Sequence, residues 1–124
     1  MPAESTAGGI GLMEGVDPPG FATVLHRHQV AELWYIIEGH YTYYAGDRRL
    51  EAGAGAVVYV PGGVPHGLRA GTEGGRKLTI FVPGGTEKFF RDVHDAREVG
   101  ELTAERAREL SERYGLERLG PLPE

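Results

Sequence analysis

The sequence predicts an all-β fold, a sandwich or small barrel of short strands, followed by one or two short C-terminal helices. Three observations predict it. Apolar and β-branched runs of strand length recur from Ile10 to Val82, with turn residues between them. Glycine and proline, 20 and 8 of 124 residues, punctuate those runs as a chain with many turns requires. No helical spacing interrupts the pattern until Pro83-Gly84-Gly85, after which apolar residues recur at helical intervals.

Residues 1–9 are small and polar and are expected to fray. Ile10, Leu12 and Val16 mark a first edge strand, and Pro18-Pro19-Gly20 a turn. Residues 22–28 form the next strand and 32–38 the one after, joined by the short turn 29–31. Side chains at i and i+2 share a face of a strand. Glu32, Trp34 and Ile36 therefore point one way, and Leu33, Tyr35 and Ile37 the other. The second set is too apolar for water. Another sheet, the C-terminal segment or a second subunit is expected to cover it.

Gly39 ends that strand and residues 40–45 follow. Gly46-Asp47-Arg48 reads as a hairpin turn. A short strand over 49–51, a turn over 52–55 and a buried strand over 56–60 come next. Pro61-Gly62-Gly63 turns the chain into a strand over 66–70. Residues 71–75, without an apolar anchor, predict a flexible turn, and 77–82 a last strong strand. Beyond Gly85, Thr86 is placed to cap a short helix with Glu87 in its first turn and Phe89, Phe90 and Val93 on its apolar side. Thr103 caps a second helix, Glu105 favours its start and Gly115 follows its end. Leu102, Ala107, Leu110 and Tyr114 form its packing stripe.

At 124 residues the chain is expected to be one domain, with the barrel over about 8–83 and a helical tail over about 84–124. A formal charge of −5 argues against a nucleic-acid partner, whose phosphates demand a basic face. The absence of cysteine excludes a disulfide scaffold, a thiol nucleophile and a thiolate metal site. No leader-like opening and no apolar run of membrane length is present, so a cytoplasmic protein without a membrane partner is the expectation.

Chemistry concentrates in two stretches. In the first, His26 and His28 share one face of a strand and Glu32 opens the next, across a short turn. Imidazole nitrogen and carboxylate oxygen are ordinary ligands of borderline divalent metals. A His-x-His pair alone is weak, because such pairs often decorate a surface; the carboxylate strengthens it. The second stretch runs from Gly55 through Pro61 and Gly63 to His66, and its turn can bring His66 beside the first pair. His40 and His94 lie outside both stretches and are expected to be structural or exposed.

Together these stretches resemble the cupin family. Gly20, His26, His28, Glu32 and Gly39 match its first motif, G-x5-H-x-H-x3-E-x6-G. Gly55, Pro61, Gly63 and His66 match its second, G-x5-P-x-G-x2-H. The second motif usually closes on Asn, where this chain has Ala70. The ending after Arg113 looks like the tail of single-domain cupins similar to quercetin dioxygenases. The resemblance implies a small double-stranded β-helix, a jelly-roll-like barrel. It implies one divalent ion, Fe, Ni, Mn, Co or Zn, held by His26, His28, Glu32 and His66. About two positions stay open on such an octahedral ion.

Trp34, Ile36 and Phe81 are the candidate pocket lining. An apolar aromatic lining favours a flat or hydrophobic small molecule over a sugar phosphate. The expected function is a quercetinase-like dioxygenase on a small phenolic or enol substrate. The alternatives are a metal-dependent isomerase, a polyketide-type cyclase, or a non-catalytic cupin that binds a metal or small ligand. By the same resemblance Glu32 would act as ligand and as catalytic base, a role a carboxylate suits when an apolar pocket raises its pKa. The outward set Leu33, Tyr35 and Ile37 and the N-terminal edge strand point to a homodimer.

Overall fold

The computed structural model describes residues 1–123. Seven strands and two helices follow one another: β1 (Gly11–Asp17), β2 (Leu25–Arg27), β3 (Ala31–Ala45), β4 (Arg48–Gly53), β5 (Val57–Val60), β6 (His66–Val82), α1 (Glu87–Glu98), α2 (Ala104–Arg113) and β7 (Glu117–Gly120). The fold is the all-β one with two short helices. Two long strands, β3 and β6, run antiparallel and carry both layers. The start of β3 and the end of β6 pair with each other, with β5 on one side and β1 on the other. The end of β3 and the start of β6 form the second layer, flanked by β4 and by β2 and β7.

This joins strands that the sequence pattern divides. Gly39 does not end β3; it sits at positive φ where the ladder shifts register, and a Cβ there would overlap the Gly74 carbonyl. The expected turn over 71–75 lies inside β6. Residues 71–74 have no β3 partner, and the strand passes there from one layer to the other. The glycines serve this crossing, since the ring of Tyr41 lies where a Cβ of Gly75 would sit.

The core fills the space between the layers. Trp34, Ile36, Tyr41, Tyr43, Val58, Val60 and Leu68 form one buried cluster. Each large apolar side chain buried there stabilises the fold by about 1.5–3 kcal/mol. At the edge of the cluster the Tyr41 hydroxyl donates to Asp17 at 2.5 Å, and Asp17 also pairs with the buried Lys77.

The N-terminus is docked rather than frayed. Ala3 is buried in a 3-10 turn over Ala3–Thr6, and its N–H donates to Glu87 at 2.9 Å. Glu87 also accepts from the Gly85 N–H at 2.5 Å. The buried carboxylate thus ties the N-terminal turn to the segment before α1. The first-turn N–H groups of Lys88 and Phe89 donate to the Gly85 and Thr86 carbonyls, and the Thr86 side chain makes no capping bond. Thr103 does cap α2, accepting from the Arg106 N–H at 3.0 Å. Leu110 packs that helix at 0% exposure, and Tyr114 donates to Asp92 of α1 at 2.6 Å. Strand β7 went unpredicted; it returns the chain to β2 and lets Leu122 cover Gly67. Among the described residues no helix is long and apolar enough to cross a membrane.

Candidate metal centre

Three loops and strands bring four side chains together. His26 of β2 stands directly opposite His66 of β6 in the ladder, so their side chains share a face. His28 follows two residues after His26, just past the end of β2. Glu32 opens β3 in the other layer, opposite Phe81 and Val60. The group therefore spans the interior between the layers. The turn after β5 locks against the turn before β3: the Gly63 N–H donates to the His28 carbonyl at 2.8 Å. Gly62 makes that approach possible, because a Cβ there would overlap the Gln29 carbonyl. Gly62 lies between the motif positions Pro61 and Gly63, and its need became visible only in this contact.

All four residues are buried, and their ligand atoms lie within 4.8 Å of one another. Each histidine uses Nδ1 on a nearby backbone carbonyl: His26 on Val24 at 2.7 Å, His28 on Val30 at 2.8 Å, His66 on Val64 at 2.8 Å. A carbonyl only accepts, so Nδ1 carries the proton and the Nε2 lone pair of the neutral ring is free. Nε2 of His28 and of His66 lie 2.5 and 3.3 Å from Glu32 Oε1. Two acceptors that close need a shared proton or a cation between them. This His3Glu donor set could hold a metal ion, and its chemistry fits a divalent one.

Electrostatics agree with a cation-seeking group. Burial first, then the neighbouring His66, pushes His26 down to about 4. Burial alone would raise the Glu32 carboxyl; its close contacts with the His28 and His66 imidazoles outweigh it and hold Glu32 below its ordinary value. This corrects the expectation of a raised carboxylate. The apolar surroundings are present, but two imidazoles lie closer.

The candidate pocket residues pack tightly around this group. Trp34, Ile36 and Phe81 are 2%, 0% and 0% exposed. The Trp34 ring lies 5.8 Å from that of His66, and Phe81 6.4 Å from that of His28. The open space is elsewhere. A cavity of about 420 Å³ lies between β2 and the two helices, and His26 reaches it. Phe21, Phe89, Phe90, Val93 and Leu116 supply its apolar walls. His94 also lines it, whereas His40 pairs with Glu51 at 2.5 Å on the surface. Sequence reading assigned Phe89 and Phe90 to helix packing and missed the cavity. Tyr43 Oη, beside Trp34, is a buried side-chain atom without a hydrogen-bond partner among the described residues.

Comparison with known proteins bears on the same region. Residues 13–83 match the family described as Cupin domain. The chain is 27% identical over 96 residues to quercetin 2,3-dioxygenase of Bacillus subtilis (strain 168), covering 77% of this chain and 28% of that protein. It is 34% identical over 56 residues to an uncharacterized protein of Methanocaldococcus jannaschii, covering 44% and 45% of the two. The chain thus spans under half the length of either relative. Among solved structures it resembles an RmlC-like cupin from Shewanella frigidimarina, with a TM-score of 0.61 at 22% identity over 65% of this chain and 72% of that one.

Proposed function

This chain belongs to the cupin family, which it matches over residues 13–83 of 124, and from that premise we propose a metal-dependent dioxygenase of the quercetinase-like kind. Its substrate in this reading is a small phenol or enol. One observation carries it: three histidines with their Nδ1 atoms tied back and a carboxylate converge in a buried space. The likeness to quercetin 2,3-dioxygenase supports the oxidative reading. His26, His28, Glu32 and His66 hold one divalent ion, Fe, Ni, Mn, Co or Zn. Such an ion, when bound, supplies Lewis acidity and, if redox-active, a place for dioxygen.

The protein's own residues do the rest. Val24, Val30 and Val64 carbonyls fix the imidazole orientations, so the donor set is arranged before anything binds. Trp34 and Phe81 exclude water behind the histidines. Glu32, held ionised at neutral pH, accepts the proton of the substrate hydroxyl at its carboxylate.

The test starts with elemental analysis of the purified protein. Oxygen uptake on flavonols, catechols and 1,3-diketones follows. Glu32→Gln keeps the shape and an oxygen donor while removing the base. It is expected to retain much of the metal and to lose roughly 10²–10⁴-fold in turnover. Full turnover in that variant removes Glu32 from the mechanism. Turnover without oxygen consumption moves the assignment to an isomerase or cyclase, and a wild type inert on the whole panel moves it to a binding protein.

The assembly belongs to the same proposal. The outer face of the first layer exposes Val57 and Tyr59 at 58% each and Tyr35 at 41%, beside half-buried Leu33 and Ile80. A second copy of the chain, meeting this face about a two-fold axis, covers apolar surface with apolar surface.

A further inference from the structure

The cavity under the helices has a charge pattern that its apolar walls do not explain. Acidic residues outnumber basic ones in the chain, 18 to 13, yet no Asp or Glu lines this space. Two arginines do: Arg97 from the last turn of α1 and Arg118 from β7. Arg27 and Arg76, by contrast, are paired, with Glu117 and Glu14. Arg97 and Arg118 have neither an ion-pair nor a hydrogen-bonded side-chain partner among the described residues.

Their placement relates to the histidine group. In the ladders, Arg118 stands opposite His26, and His26 stands opposite His66. Directly opposed residues share a face with Cβ atoms about 4.5–5.5 Å apart. Arg118, His26 and His66 therefore form one row across three strands, running from the rim of the cavity to the candidate metal centre. Arg97 adds a second cation from the opposite, helical wall.

We infer that this cavity selects a small monocarboxylate with a flat apolar body, its carboxylate held at the rim by Arg118 and Arg97. A guanidinium grips a carboxylate with two parallel hydrogen bonds, a geometry that a neutral amide cannot return. Phe21, Phe89 and Phe90 give the body aromatic faces, and a volume of about 420 Å³ suits a single-ring compound with a short side chain. A phosphate dianion is a poorer fit, since most of the lining has no donor to replace its hydration. The inference rests on the enzyme reading above only in taking the cavity as the substrate's way to the histidines. It also places two cations at the mouth of the open space, where the sequence predicts an apolar aromatic lining.

The experiment is calorimetric titration of the purified, metal-loaded protein with cinnamate, cinnamamide and phenyl phosphate. Metal content is measured on every sample. Cinnamate is expected to bind at least about tenfold more tightly than the other two. Arg118→Gln and Arg97→Gln, both at exposed positions, are expected to weaken cinnamate about tenfold each. Both variants keep wild-type metal content and wild-type affinity for cinnamamide. Equal affinity for acid and amide, tighter phenyl phosphate, unchanged cinnamate affinity in Arg118→Gln, or no binding of cinnamate at millimolar concentration each overturns it. Loss of the metal reading shows separately: a wild type that takes up no metal and still prefers cinnamate through Arg118 supports the carboxylate site alone.

Discussion

Single atoms decide the chemistry of the centre. Because each Nδ1 is committed to a carbonyl, only Nε2 can face the interior, and removing one ring removes one donor of four. His66→Ala is expected to abolish stoichiometric metal, while His40→Ala, on the surface beside Glu51, retains it; elemental analysis of both variants checks this. Full metal content in His66→Ala sinks the ligand set. The same burial makes the metal-free fold acid-sensitive. The unfolded chain takes up a proton on His26 near pH 6.5 that the folded chain refuses until about 4. The unfolded state binds more protons in that window, so stability falls as pH drops through it. Glu32 acts in the same direction lower down, since its folded carboxyl protonates below the ordinary carboxylate value. The expected loss from His26 is on the order of 3 kcal/mol between pH 7 and 4. Urea unfolding of chelated protein across this range measures it, and a flat profile contradicts the burial of a neutral His26.

Elements position those atoms through a few close backbone approaches. The turn after β5 rests on the turn before β3 by way of Gly62 and the Gly63–His28 hydrogen bond. Gly62→Ala puts a methyl group against the Gln29 carbonyl, which has backbone on both sides and cannot swing away. The turn must separate from His28. A destabilisation of about 1–3 kcal/mol is expected by denaturant titration, with metal affinity reduced as well. Unchanged values on both counts mean the turn relaxes without moving His28. The helices show the same dependence on context. Thr86 and Thr103 both precede a helix and an acidic residue, yet only Thr103 caps. At α1 the buried Glu87 takes the N–H groups of Ala3 and Gly85, ordering the N-terminal segment as it does so.

At the scale of the molecule, two strands that bend between layers leave one sheet face apolar. Of the three residues expected to face outward, Leu33 and Ile37 are half-buried and Tyr35 is exposed. Most of the open apolar surface comes from the neighbouring strand, at Val57 and Tyr59. Light scattering at micromolar concentration is expected to give twice the chain mass. Tyr59→Asp, which brings a charge to the middle of that face, is expected to give the mass of one chain with metal content intact. A monomeric wild type removes the dimer.

What the sequence by itself determined is the all-β architecture, the two C-terminal helices and the four residues that gather in the candidate centre. These are short-range properties. His26 and His28 share a face because strand geometry repeats every two residues, and turn residues at Gln29 and at Pro61 bring Glu32 and His66 within reach. What only the tertiary structure decided depends on partners far apart in the chain. The glycines of 71–75 read locally as a turn, and it takes Gly39, Tyr41 and the Asp17 loop packed against them to show a strand changing layers. Strand β7 carries little apolar pattern of its own and exists because β2 offers an edge to pair with. That pairing brings Arg118 beside His26, and the docking of α1 and α2 encloses the cavity between them. Register between strands is fixed by which faces end up buried together, and for strands distant in sequence that depends on the packed partner rather than on the local pattern alone.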